Sequence, residues 1–135
     1  MAAPSARNSK CCRFIVLTQR EMLEKVSELR PAWKPLSNAP LGIIVIADVK
    51  DYPASIEHSV NDISACTENI LLAAQELGLG ACWLGCAPKL PSDNVRNMFN
   101  LDEHLVPGAL ISVGYPDETR PQHTEFDMSR VIGYY

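Results

Sequence analysis

The stretch at residues 69–80 reads NILLAAQELGLG and runs directly into ACWLG at residues 81–85. Apolar side chains recur at steps of three and four from residue 62 onward, which predicts a helix over residues 62–77. Ser59 or Asn61 could cap its start, and Gly78 and Gly80 follow it as stop residues. A short strand is predicted next, at residues 81–84. This helix has the clearest apolar periodicity in the sequence, and we expect it to lie in the core.

The other elements alternate along the chain. β-branched and apolar composition predicts further strands at residues 13–18, 41–49 and 107–115. A capping box, TQRE at residues 18–21, predicts a helix that ends before Pro31, and Ser92 is expected to cap another that reaches Phe99. Residues 31–40 indicate a loop or short turns, and the chain from Pro116 onward indicates a polar arm. Too few helices are predicted to cover both faces of the sheet. The order therefore favours one α+β domain with a central mixed or antiparallel sheet and a buried core helix.

Composition excludes several classes of function. The chain has 135 residues, a net charge of −4 and no dense Lys/Arg run, which argues against binding nucleic acid. No apolar run reaches the ~18 residues of a membrane span, and the N-terminus has no signal-peptide pattern. We therefore expect a cytoplasmic protein with no membrane partner.

Five cysteines are present, an odd number, and their spacing does not match a zinc-binding motif. We expect free thiols and no metal site. A redox or metal site stays open as a hypothesis if at least two of Cys11, Cys12, Cys82 and Cys86 converge in space. Trp83 is expected to lie in the core.

Four stretches in order along the chain carry a resemblance. They are APSARN at residues 3–8, NAPLGIIVIADV at 38–49, the helix and strand at 69–85, and VPGALISVGYP at 106–116. Each is common alone, but their order and spacing together are specific. The sequence resembles the FMN-dependent nitroreductase family.

The resemblance implies the family's fold and chemistry. Family members bind FMN, take a hydride from NAD(P)H as co-substrate and reduce nitroaromatic, quinone or similar electron-poor acceptors in ping-pong order. They are typically homodimers with two FMN sites, each built from both chains. The cofactor carries the reaction, so no catalytic side chain is required.

The same resemblance places the cofactor on particular residues. Pro4, Ser5 and Asn8 would lie on the loop that meets the flavin ring and ribityl chain, although Ser5 and Asn8 could equally be turn residues. Lys10 could donate to a flavin carbonyl or to N1, or be a solvated surface lysine. Leu84 and Gly85 would approach the ring from the other side. His123 is the candidate for the phosphate.

The sequence departs from the family pattern at the phosphate. Relatives usually open with a helix and an Arg-rich segment that binds the phosphate, whereas Met1 here stands just before APSARN. We therefore expect a single domain over residues 1–135 that lacks this segment. Glu125 occupies a place where arginine is expected, and Arg120 is a reserve candidate. The alternative hypothesis is a truncated, flavin-free and inactive family member that acts as a structural or partner-binding domain.

Overall fold

The computed structural model describes residues 2–54, 57–85, 89–118 and 127–134. Its strands and helices follow one another in the order predicted. In chain order they are β1 (Cys12–Leu17), α1 (Arg20–Glu28), β2 (Leu41–Asp48), α2 (His58–Glu76), β3 (Gly80–Trp83), α3 (Lys89–Met98) and β4 (Leu105–Gly114). Short 3-10 helices occur at Ala6–Asn8, Pro31–Asn38 and Met128–Arg130.

The four strands form one antiparallel sheet in the order β1-β2-β4-β3. Its central strands, β2 and β4, carry nearly continuous runs of buried residues, as their apolar sequences predict. The outer strands are the polar-flanked β1 and the short β3. The predicted α+β architecture, with a central sheet and β2 in its middle, is confirmed.

Hydrophobic clusters cover both faces of this sheet because successive residues of a strand point to opposite faces. Ile44 and Ile46 of β2 point into the cluster formed with α1, α3 and the Pro31–Asn38 turn. Val45 and Ala47 point into the cluster formed with α2. The alternation in one strand therefore holds two layers of helix on the sheet, and the expectation that the helices are too few to cover both faces is wrong.

In the single chain, only one face of helix α2 is buried. Ile63 and Cys66 pack against the sheet, whereas Leu72 and Leu77 are 59% and 74% exposed. The helix ends at Glu76, and Gly78 follows with a φ of 71°, as expected of a glycine that ends a helix. Within the described part of the chain, every helix is too short or too polar to cross a membrane.

All three capping predictions are wrong, because each side chain has another position or partner. Helix α1 begins at Arg20 without a side-chain cap, and Glu21 forms a 2.6 Å ion pair with Lys25 instead. Helix α2 begins at His58, so the residues expected to cap it lie inside its first turn. Ser92 lies inside α3, where its Oγ donates to the carbonyl of Pro107 at 2.8 Å.

The contact between α2 and β4 yields a stability prediction. A Cβ on Gly108 would overlap Cδ1 of Ile63 and lie 3.2 Å from its Cγ2. We expect Gly108→Ala to lower the free energy of unfolding by about 1–3 kcal/mol, because the well-packed Ile63 side chain must leave its rotamer or α2 must shift away from the strand. Gly80→Ala is the matched control, since its nearest atoms lie at 3.5 Å. Urea denaturation of both variants measures the difference, and equal midpoints would contradict the packing described.

Candidate functional site

The loop that leads into β1 has an unusual backbone. Arg7, Asn8 and Lys10 have φ angles of 48°, 57° and 51°, in the left-handed region that residues other than glycine rarely adopt. The Asn8 N–H donates to the carbonyl of Ser5 at 2.9 Å, and the Lys10 N–H donates to Ser5 Oγ at 2.9 Å. These bonds close residues 5–10 into a tight turn, called the N-loop below.

Asp62, near the start of α2, holds the N-loop in place through hydrogen bonds. Its side chain is buried, with the residue 5% exposed. One oxygen, Oδ1, accepts the Ala6 N–H at 2.9 Å. The other, Oδ2, accepts Tyr52 OH at 2.7 Å, Ser9 Oγ at 3.3 Å and Cys11 Sγ at 3.5 Å. A single carboxylate thus joins the N-loop, the start of β1 and the segment before α2.

The electrostatics of this cluster keep Asp62 charged. Burial alone would raise its pKa, but the hydrogen bonds from Tyr52, Ala6, Cys11 and Ser9 outweigh that effect and lower it. Burial and then the adjacent Asp62 carboxylate raise the pKa of the Tyr52 hydroxyl well above its ordinary value. At neutral pH the pair is therefore a fixed acceptor and a fixed donor. It serves as an anchor and is unsuited to general acid–base chemistry.

A second predicted segment lies at the end of β3. The Leu84 N–H donates to the carbonyl of Leu110 at 2.8 Å, which extends the sheet by one bond. Nε1 of Trp33 donates to the carbonyl of Gly85 at 2.8 Å and also lies 3.2 Å from that of Leu84. Gly85 has a φ of 67°, and among the described residues other than its chain neighbours no atom lies within 4 Å of the place a Cβ would occupy. The indole therefore fixes the backbone of Leu84 and Gly85 by hydrogen bonds.

The prediction that Trp83 lies in the core is wrong. Trp83 is 39% exposed because β3 is a short outer strand, whereas Trp33 is fully buried. Trp33 lies in the Pro31–Asn38 turn, which the sequence marks only as a loop or short turns. An indole among prolines in a predicted loop was the available signal, because such a large side chain is seldom left in water.

The two predicted segments lie at opposite edges of the sheet within one chain. The N-loop precedes β1 and Gly85 follows β3, and these are the outer strands. Three strand spacings separate them, roughly 14 Å at ~4.8 Å each. The structure brings Ser5, Asn8 and Lys10 together in one turn, with the Asn8 and Lys10 residues exposed. Pro4 is also exposed beside them, and His123, Arg120 and Glu125 lie outside the described residues.

An open groove of about 1370 Å³ lies along β3 and the end of β4, lined among others by Pro40, Cys82 and Tyr115. It includes none of the residues predicted to bind flavin. In the single chain Asn8 and Lys10 are exposed, and Leu84 and Gly85 are half-buried.

The four cysteines that the structure describes fall into two environments, and Cys86 lies outside the described residues. Cys11, Cys12 and Cys66 are buried free thiols, and Cys82 is exposed on β3. Burial raises the pKa of Cys11 and of Cys12, and the neighbouring Cys66 raises that of Cys12 further. Thiols in this state are poor nucleophiles and poor metal ligands. Among the residues described, no group of three or more His, Cys, Asp or Glu side chains is placed to hold a metal ion.

This difference predicts selective labelling of the thiols. In the native protein we expect Ellman's reagent to modify Cys82 rapidly, and Cys11, Cys12 and Cys66 only after unfolding. Peptide mapping of the labelled protein assigns each site, and a Cys82→Ser variant identifies the phase that belongs to Cys82. Rapid native labelling of Cys11 or Cys12 would favour the hypothesis of a redox-active pair.

Comparison with known proteins agrees with this architecture. Residues 30–115 match the model of the Nitroreductase family. A protein of Methanothermobacter thermautotrophicus, provisionally named an NADH dehydrogenase/NAD(P)H nitroreductase, is 39% identical over 97% of this chain and 69% of its own length. The crystal structure of a protein provisionally named an NADH oxidase, from Clostridium acetobutylicum, is 40% identical with a TM-score of 0.92, over 100% of this chain and 82% of that one.

An FMN-dependent nitroreductase from Clostridium difficile is 29% identical with a TM-score of 0.77, over 97% of this chain and 76% of that one. The chain belongs to the nitroreductase family, and its fold is the nitroreductase fold.

Proposed function

We propose that the chain is an FMN-dependent NAD(P)H oxidoreductase that reduces nitroaromatic, quinone or similar electron-poor acceptors. The family assignment supports the oxidoreductase class, and the names of the relatives support NAD(P)H and flavin as its reactants. We further propose that it works in the cytoplasm, where its cysteines would stay reduced.

One observation carries the proposal: the N-loop is held in a strained conformation. Arg7 and Lys10 adopt left-handed backbone at a cost of order 1–3 kcal/mol each, and Asn8 adopts it at a lower cost because its short polar side chain suits this region. Strain of this kind persists where surrounding contacts over-determine the backbone, and it clusters at ligand-binding sites. The bonds to Asp62 and Ser5 supply those contacts.

The residues of the N-loop and of the end of β3 fit the ring of FMN. Its edge carries carbonyls and nitrogens that need short polar partners, and its face needs a thin apolar wall. The Ser5 hydroxyl, the Asn8 amide and the Lys10 ammonium offer the partners. Leu84 and the bare backbone at Gly85 offer the wall. For the phosphate, His123 is the proposed partner.

When bound, FMN would supply the two-electron chemistry, receiving a hydride from NAD(P)H and passing the electrons to the acceptor in ping-pong order. The protein's part is to bind and orient. Lys10 would place a positive charge beside the ring edge and favour negative charge there. Ser5 and Asn8 would fix the ring in its plane, and Leu84 would keep water from its face.

We propose a homodimer because the two halves of this site lie at opposite edges of one chain. Two copies could place the N-loop of one protomer beside the end of β3 in its partner. Exposed apolar side chains on α2 offer surface for such a contact: Leu72 and Leu77. Sedimentation velocity of the purified chain tests this assembly directly.

The two half-reactions test the proposed chemistry. Under anaerobic conditions, NADH or NADPH added to the FMN-loaded chain should bleach the flavin absorbance. A nitroaromatic or quinone added after removal of the nicotinamide should restore it, and steady-state double-reciprocal plots should be parallel. FMN-loaded protein that neither nucleotide bleaches would contradict the proposed activity, and intersecting plots would contradict the ping-pong order.

A further inference from the structure

The Asp62 carboxylate holds several other parts of this chain through hydrogen bonds. A carboxylate has two oxygens with about four acceptor positions. Oδ1 of Asp62 takes the Ala6 N–H, and Oδ2 takes the donors of Ser9, Cys11 and Tyr52. Because this carboxylate is buried and all four donors belong to this chain, its effect on a ligand passes through the groups that it holds.

These donors bracket the strained part of the N-loop. Ala6 stands immediately before Arg7 and Asn8, the first two left-handed residues, and Ser9 stands immediately after them. Fixing both flanks prevents the turn from relaxing to ordinary backbone angles. The bond from the Lys10 N–H to Ser5 Oγ closes the turn but joins it to nothing else.

The Asp62 carboxylate belongs to a helix that is packed against the sheet. Asp62 lies on α2, where Ile63 and Cys66 are packed against the sheet. Tyr52 OH, at 2.7 Å, fixes the orientation of the carboxylate from the segment before the helix. Asp62 therefore fixes the position of the N-loop relative to the packed core.

We propose that Asp62, oriented by Tyr52, is a positioning residue for the flavin: it holds the N-loop in its binding conformation and so sets the affinity for FMN. The proposal rests on the proposed function for its ligand. The arrangement of the N-loop itself can be measured without any ligand.

Asp62→Asn in the full chain is the test. The asparagine side chain has the same shape as aspartate, but its Nδ2 is a donor where the carboxylate oxygen is an acceptor. This Nδ2 therefore faces the N–H, O–H or S–H donors of the N-loop cluster and cannot bond to them. We expect amide hydrogen exchange at residues 6–10 to quicken by about tenfold or more, while exchange in β2 and β4 stays unchanged. The Kd for FMN should rise by about tenfold or more, the size expected for loss of a hydrogen bond to a charged group.

Ser92→Ala is the matched control. It removes another buried side-chain hydrogen bond, the one that joins α3 to β4 at Pro107, far along the chain from the N-loop. It should lower the melting temperature and leave both exchange at residues 6–10 and the Kd for FMN unchanged. An equal rise in Kd in both variants would overturn the positioning role, because general destabilisation would then explain it.

The outcomes separate this proposal from the proposed function. If the wild-type chain binds no FMN, the proposed function fails, while exchange at residues 6–10 still decides what Asp62 does. If Asp62→Asn retains wild-type exchange there and a Kd within about twofold, the positioning role is wrong. Should that variant not fold, Tyr52→Phe and Ser9→Ala each remove one donor and keep the carboxylate. Faster exchange at residues 6–10 in both would support the role, and unchanged exchange in both would overturn it.

Discussion

Replacing Trp33 with phenylalanine is expected to lower the free energy of unfolding by about 2–4 kcal/mol and to release the backbone after β3. Trp33 is fully buried, so the smaller ring leaves a cavity among the residues of α1 and β2. The change also removes the donor to the carbonyls of Leu84 and Gly85. A part-buried acceptor without a partner costs more than the lost bond alone contributes.

Trp83→Phe is the matched control, because it makes the same substitution on β3, immediately before the backbone that Trp33 holds. Trp83 is 39% exposed, and we expect its replacement to change stability by less than about 0.5 kcal/mol. Chemical denaturation followed by circular dichroism measures both variants, and FMN titration of the folded protein measures the effect on the site. Similar losses of stability in the two variants would contradict the role assigned to Trp33.

Asp62→Asn is expected to lower the free energy of unfolding by about 2–4 kcal/mol at neutral pH, and by almost nothing in strong acid. The folded protein lowers the pKa of Asp62 below its ordinary value. A carboxyl group whose pKa is lowered by folding makes its full contribution to the free energy of unfolding at any pH above its unfolded pKa, which is about 3.9 for aspartate. The contribution is lost as the pH falls from that value through the lower folded pKa.

Unfolding curves of the wild-type and variant chains between neutral pH and pH ~2 measure this difference. The two stabilities should converge as the pH falls below about 4, since a protonated Asp62 resembles asparagine in charge. The difference between wild type and Ser92→Ala should stay constant over the same range, because no charge is removed. A pH-independent effect of Asp62→Asn would show that the carboxylate does not carry its charge in the anchor.

Periodicity predicted the parts of the fold that burial controls. The apolar run at residues 41–47 identified the central strand, and the three- and four-residue steps identified α2, because both patterns record which side chains leave water. The expected caps failed for a related reason. Ser92 bonds to β4, and Glu21 pairs with Lys25 on the next turn of its helix. A local capping motif carries no information about such alternative partners.

The candidate site was predictable only where the resemblance covered it. Ser5 and Asn8 stand in the quoted family motif at residues 3–8, Lys10 follows it by two residues, and the structure places all three in one turn. Asp62 was missed, although an acid at the start of a predicted buried face was a signal that it needed partners. Its donors lie 10 to 56 residues away in sequence, and only the tertiary fold brings them together.

Titration of the purified chain with FMN tests the central claim most directly. The N-loop and the end of β3 are proposed to hold the flavin ring, so the protein should turn yellow and retain FMN through gel filtration. The bound flavin should have shifted absorbance bands and quenched fluorescence, and binding should saturate near an equimolar ratio. A folded chain that stays colourless in excess FMN would contradict the proposal and favour the flavin-free alternative.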